Sequence, residues 1–334
     1  MSPRLRNLLM TSTALFALGA ALSTLGAGPG GAQPTGGTVV GGTATISGSG
    51  TSSVIVNQST DKAIINWPTF NVSTGGSVTF HQPGSSSITL NRVTGGLGPS
   101  VIDGTITANG RVFIINRDGM LFGRGAVINT AGFLASTNDI RNEDFMAGRM
   151  NFNIPGRGNA SIVNFGTITA SSGGFAALVA PGVRNAGTIS AHLGTVALAS
   201  GNSFTLDMYG DKLIQVAVGD QIADKVIDVS TGKPLSSLVS NEGTLRANGG
   251  RVEITAAAAR HIVDSVINNK GVIEANSVGT RAGRIVLGGA TQTAGLPKQT
   301  IKISGKITAT GKDKGSNGGT IQITGEDIQF AAAM

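Results

Sequence analysis

Two neighbourhoods hold carboxylates close enough in sequence to suggest acid–base chemistry: Asp139, Glu143 and Asp144 with Arg141 among them, and Asp207, Asp211, Asp220, Asp224 and Asp228. A polysaccharide lyase or glycosidase needs such groups, one to protonate a leaving oxygen and one to act as base or nucleophile. The spacing argues against it. The first group has the right residue types but lies in an Asn-rich connection, and the second is spread over an irregular stretch whose intervals do not set the acids on one face of successive structural units. Gly311-Lys312 runs into Asp313 and Gly232-Lys233 into Pro234, so neither makes a phosphate-binding loop. His81, His192 and His261 are isolated and no HExxH occurs, which makes them surface or edge histidines. There is no cysteine, hence no disulfide and no thiolate metal site. These residues predict a protein that is not an enzyme and uses no metal or cofactor.

The elements around them come from a strand-and-turn vocabulary. Of 334 residues 51 are Gly, 40% are hydrophobic, and only 13% are charged and 4% aromatic. A disordered chain would carry more charge and less Ile and Val, and collagen would need Gly at every third position. The formal charge is +7, of which Arg4 and Arg6 supply two, and the remaining Lys and Arg are scattered without interleaved aromatic residues. That pattern predicts a solvated surface with mild attraction to acidic glycans or lipopolysaccharide, and no nucleic-acid binding.

Residues 1–32 join a basic start to the apolar run from Leu8 to Ala27 and a small-residue segment ending at Ala32. This predicts a cleaved secretory signal peptide, because the run is short, rich in Ser, Thr and Gly, and followed by nothing basic.

Downstream, one pattern recurs six times, Gly-x-(Ile/Leu)-x-Ala, at Gly104, Gly166, Gly187, Gly243, Gly271 and Gly305. Each copy is followed by Gly-x-(Val/Ile/Ala)-x-(Ile/Leu), from Gly110, Gly174, Gly194, Gly250, Gly283 and Gly319. Apolar and polar residues alternating over five positions have the period of a half-buried strand, so each repeat holds at least two strands joined by a surface turn of variable length. Such units bury their apolar faces only by stacking. The expected fold is all-β, a right-handed parallel β-helix with an amino-terminal cap. Ile106, Val112, Ile114, Ile168, Leu178, Ile189, Val196, Leu198, Leu245, Val252 and Ile254 are expected to share one interior column. Thr38 to Ile46 and Val54 to Val56 are expected to be capping strands outside the main helix. An apolar residue and Asn precede most copies, as at Asn164, Asn185, Asn241 and Asn269. Stacked Asn side chains could bond along the helix, but for most of them an ordinary turn role is expected.

The stretch Ile88 to Thr137 closely resembles the amino-terminal secretion domain of filamentous haemagglutinins and other two-partner secretion exoproteins. The residues that carry the likeness are LNRVTG (Leu90 to Gly95), Pro99 to Gly104, ANGRVFIIN (Ala108 to Asn116), LFGRGAVIN (Leu121 to Asn129) and GFLAST (Gly132 to Thr137). The family's Asn-Pro-Asn-Gly-Ile motif falls on Asn116-Arg117-Asp118-Gly119-Met120, with Arg117 in place of Pro and Asp118 in place of Asn, and the family's Asn-Pro-Asn-Leu tetrad is missing. The turn can still form but is less stiff. The resemblance implies a Gram-negative exoprotein that leaves by the Sec route and then through a partner outer-membrane β-barrel transporter with periplasmic recognition domains. It also implies a role for Asn91, Arg92, Asn116, Arg117, Asp118 and Gly119 in transporter recognition, or in the fold that recognition needs. The expected organisation is a leader at 1–32, a secretion domain at 33–145 and β-helix repeats at 146–334. The first reading is an adhesin-like surface protein whose partners are the transporter and host-cell or surface glycans. A β-helical polysaccharide-active enzyme and the amino-terminal piece of a contact-dependent toxin are the alternatives.

Overall fold

The computed structural model describes residues 33–331 except 211, 218, 219, 291–294, 312 and 314, so the expected leader lies outside the described residues. The repeating glycines set the geometry. A Cβ added to Gly187, Gly243, Gly271 or Gly305 would lie 2.0–2.2 Å from the carbonyl oxygen of the glycine one coil before, so only glycine lets the corners stack this closely. Behind each corner the alternating residues fall into register. Ile106, Ile128, Ile168, Ile189, Leu245, Ile273 and Ile307 occupy successive rungs of one parallel ladder. Val112, Phe133, Ala176, Val196, Val252 and Ile285 do the same in a second. All eleven residues expected inside belong to a single buried apolar cluster. The chain is a parallel β-helix.

After the first coil, where Val72 makes only an isolated bridge to Ile102, the coils have a third strand beyond the two read in the repeat. It is formed by the segments around the Asn positions, which build an eight-stranded parallel sheet from Ser100–Ile102 to Asp327–Phe330. The asparagines keep the expected turn role, as where Asn164 Oδ1 accepts the Gly166 amide at 3.0 Å, and they also stack. Asn164, Asn185, Asn241 and Asn269 are fully buried and form a ladder, each Nδ2 donating to the next Oδ1 at 2.8, 2.9 and 2.8 Å. In an interior with no water a side-chain amide stays only if bonded, and stacking at rung spacing supplies donor and acceptor together. Asn241→Ala is therefore expected to cost about 1–3 kcal/mol, read as a denaturation midpoint, because it strands two buried amides at once.

The cap also differs in part from expectation. Thr38–Gly41 and Ala44–Ser47 do lie across the first coil as antiparallel strands on Lys62–Trp67 and Ser53–Gln58. Ser53–Gln58, which contains Val54 and Val56, is itself a rung, parallel to Ser77–His81, and both valines are fully buried.

Two insertions leave the helix after Val127–Ser136 and after Thr195–Ser200 and return over the outer face of the second ladder. They supply the helix Asn142–Met146 and an antiparallel sheet of Asn151–Phe152, Phe204–Leu206 and Ile214–Val216. Between this layer and the β-helix lies a second apolar core that includes Leu90, Phe113, Leu134, Phe145, Phe152, Phe175 and Phe204. Burying each such side chain is worth about 1.5–3 kcal/mol. Glu253 bears against the layer's edge, accepting a hydrogen bond from the Leu213 amide and pairing with Arg251. Burial pushes its carboxyl above the usual range despite the Arg251 charge. The parallel ladder runs from Val127–Ser136 into Thr167–Ala180, so the coils on either side of residue 145 share one interior.

Candidate functional site

Four of the six residues singled out by the motif meet at one groove. Arg92, Asn116, Arg117 and Asp118 line a depression of about 450 Å³ together with Asp139 and Arg157. Strand geometry explains the division between them and Asn91. Ile88–Val93 alternates its faces, so Arg92 points out and Asn91 points into the helix, where it is fully buried. There Asn91 Oδ1 accepts the Trp67 indole N–H at 3.0 Å and its amide donates to the Phe113 carbonyl at 3.3 Å. Asn91 is thus an interior member of the first coils, and Gly119 completes the turn behind the groove wall.

Arg92 ties the first insertion to the helix. Its guanidinium meets Asp139 at 2.8 Å and also donates to the Asn142 side chain and the Ile140 carbonyl at 2.8 and 2.7 Å. Asp139 was grouped with Glu143 and Asp144 by sequence; in space Asp139 pairs with Arg92, and Asp144 with Arg149. In the other acidic stretch, Asp228 pairs with Arg184, Asp220 accepts from the Asn202 backbone and side chain, and Asp207 accepts the Tyr209 and Gly210 amides. Asp211 lies outside the described residues. Among the described residues no cluster of His, Cys, Asp and Glu could hold a metal, and no helix is long and apolar enough to cross a membrane.

The Asn116 turn forms without the family's proline. Asn116 Oδ1 accepts the Asp118 amide at 2.9 Å, and the Gly119 amide reaches back to the Asn116 carbonyl at 3.1 Å. Its side-chain amide donates to the Gly98 carbonyl and to Ser100 Oγ at 3.1 and 3.0 Å, fastening the turn to the preceding loop. Gly119 has φ +109°, and a Cβ there would stand 2.6 Å from the Ser161 carbonyl oxygen, so the position demands glycine twice over. Asp118 takes the Gly98 amide and an ion pair from Arg157. With Arg92 and Arg157 paired to acids, the exposed Arg117 is left with the Pro155 carbonyl at 3.1 Å as its hydrogen-bond acceptor, and no carboxylate partner among the described residues. Its positive charge faces solvent at the groove. The sequence motif did not single out Asp139 and Arg157. Asp139 had been counted as a carboxylate, but nothing in local spacing marks a partner 47 residues away.

A sequence profile of the TPS secretion domain matches residues 30–323. A heme/hemopexin-binding protein of Haemophilus influenzae strain Rd is 32% identical over 269 residues, covering 76% of this chain and 27% of that protein. A second heme/hemopexin-binding protein of Haemophilus influenzae is 30% identical over 299 residues, covering 83% and 30%. The chain therefore spans less than a third of the length of these relatives. The crystal structure of the HMW1 secretion domain from the same organism superposes with a TM-score of 0.72 at 31% identity, over 90% of this chain and 72% of that one. A profile match over most of its length, on a β-helix whose turn and groove carry the motif residues, shows that this chain belongs to the TPS secretion domain family, the secretion domains of two-partner exoproteins.

Proposed function

We propose that the chain directs export of a surface exoprotein, entering the periplasm by the Sec route on residues 1–32 and crossing the outer membrane through a partner β-barrel transporter. The transporter's periplasmic domains read the coils within residues 33–145, and the chain itself performs no catalysis. The observation that carries the reading is the convergence of Arg92, Asn116, Arg117 and Asp118 on one groove, with an arginine at its rim that has no carboxylate partner among the described residues. A charged, concave surface of this kind suits recognition by a polar partner better than it suits packing. Asn91 and Gly119 serve by holding the coils and the turn that present it.

Outside the cell the protein acts as an adhesin-like surface protein that meets glycans of host cells or of the bacterial surface. Its net positive charge supports that contact.

The test of export is a deletion. Co-expressed with its partner transporter, the full chain is expected in the medium or on the cell surface. A variant lacking residues 33–145 but keeping residues 1–32 is expected to stop in the periplasm. Export of that variant at the normal level would remove the assignment.

A further inference from the structure

A second cleft, of about 190 Å³, lies on the outer face of the β-helix away from the motif groove. Its floor is one file of the second ladder, where Arg111, Gly132, Phe175, Thr195 and Arg251 follow one another rung by rung. Gly132 makes the arrangement possible, since a Cβ there would come within 2.9 Å of the Phe175 ring and 3.0 Å of the Arg111 side chain. The space it leaves lets the Arg111 guanidinium sit 6.0 Å from the centroid of Phe175 and 5.7 Å from that of Tyr209. Tyr209, the single tyrosine of the chain, is 81% exposed. Ser171, Ser172 and Thr195 put hydroxyls around the same space.

The charges of the cleft are unevenly used. Arg251 is paired with Glu253, and the Asp207 carboxylate is taken by the amides of its own turn. Arg111 has no carboxylate partner among the described residues; its contacts are Met208 Sδ at 3.0 Å and the Tyr209 hydroxyl at 3.4 Å. An arginine with no carboxylate partner among the described residues, with an exposed aromatic ring beside it and hydroxyls lining a space the size of one pyranose, has the chemistry to hold an acidic sugar.

We propose that this cleft binds a carboxylated sugar unit of an acidic glycan, with the carboxylate on Arg111, the ring face on Tyr209 and the ring hydroxyls on Ser171, Ser172 and Thr195. The proposal rests on the glycan-contact reading and gives it a site; export does not depend on it. Arg111 lies on the outer face and its guanidinium is not part of either apolar core, so Arg111→Gln is expected to preserve the fold, with the melting temperature as the check.

The test is calorimetric titration of the full chain with an oligouronate, with the neutral oligosaccharide of the same length and with inorganic sulfate. Saturable oligouronate binding is expected, at least tenfold weaker in R111Q and in Y209A, with the neutral sugar also at least tenfold weaker on the unsubstituted chain. Y209A guards against a folding defect, since so exposed a ring contributes little to stability. Absence of saturable binding, equal binding by all three chains, or sulfate binding as tight as the oligouronate would overturn the site. Cell adhesion assayed beside it separates the two readings: adhesion that persists in R111Q and Y209A rejects the cleft alone, and an unsubstituted chain that does not adhere rejects the glycan contact as a whole.

Discussion

Ile254→Asp is expected to destabilise the purified chain by about 4 kcal/mol or more, because it places a carboxylate at a position closed to solvent and surrounded by apolar side chains. Ile254 is fully buried, with Leu198 on the rung before it and Leu287 on the rung after. A solenoid's stability is a sum of coil and interface terms, so the damage should concentrate in the coils that touch the substitution. Chemical denaturation gives the size of the loss, and hydrogen exchange gives its place, with strands Arg251–Ala256 and Arg284–Gly288 losing protection first. A loss below about 1 kcal/mol would mean that the column is open to solvent at this rung.

Arg92→Ala is expected to cost about 2–4 kcal/mol, since it leaves the Asp139 carboxylate without its cation and removes the hydrogen bonds that the guanidinium donates to the Asn66 and Asn142 side chains and the Ile140 carbonyl. The two side chains are only 12% and 13% exposed, so water replaces the guanidinium poorly. Arg92→Lys keeps a charge but not the fork that reaches Asp139, Asn142 and the Ile140 carbonyl together, and should recover about half of the loss. The melting temperature of each variant checks this. An unchanged value for Arg92→Ala would show that the first insertion is held by Phe145, Met150 and Phe152 alone.

The register of the helix was legible because its cause is local. A glycine that must stack and an alternation of period two leave their mark within five residues, and the interior list from Ile106 to Ile254 follows directly. The asparagine ladder was legible as one option beside an ordinary turn role, and the sequence did not decide between them, since the bond from Asn185 to Asn241 spans 56 residues and depends on rung spacing. The second core had a signal that alternation alone does not capture. Strands Val112 to Ile115, Phe133 to Ala135 and Ala176 to Ala180 are apolar without interruption, the mark of a strand covered on both faces, whereas Glu253 and Gln322 restore the polar outward position in later coils. The motif residues were legible as a set, but not their division into Asn91 inside, Gly119 in the turn and Arg117 at the rim. That division comes from strand parity and from the closure of a turn on a loop 18 residues earlier.

The proposed reading of the groove by the transporter is tested most directly at Arg117, which is exposed and outside both apolar cores. The measurement is the affinity of the purified chain for the isolated periplasmic domains of its partner transporter, for the unsubstituted protein and for Arg117→Glu, with melting temperatures taken alongside. The expected result is binding weakened at least tenfold at an unchanged melting temperature, because the substitution reverses the one groove charge with no carboxylate partner among the described residues. Equal affinity at equal stability would contradict the account and leave the groove as a structural corner of the β-helix.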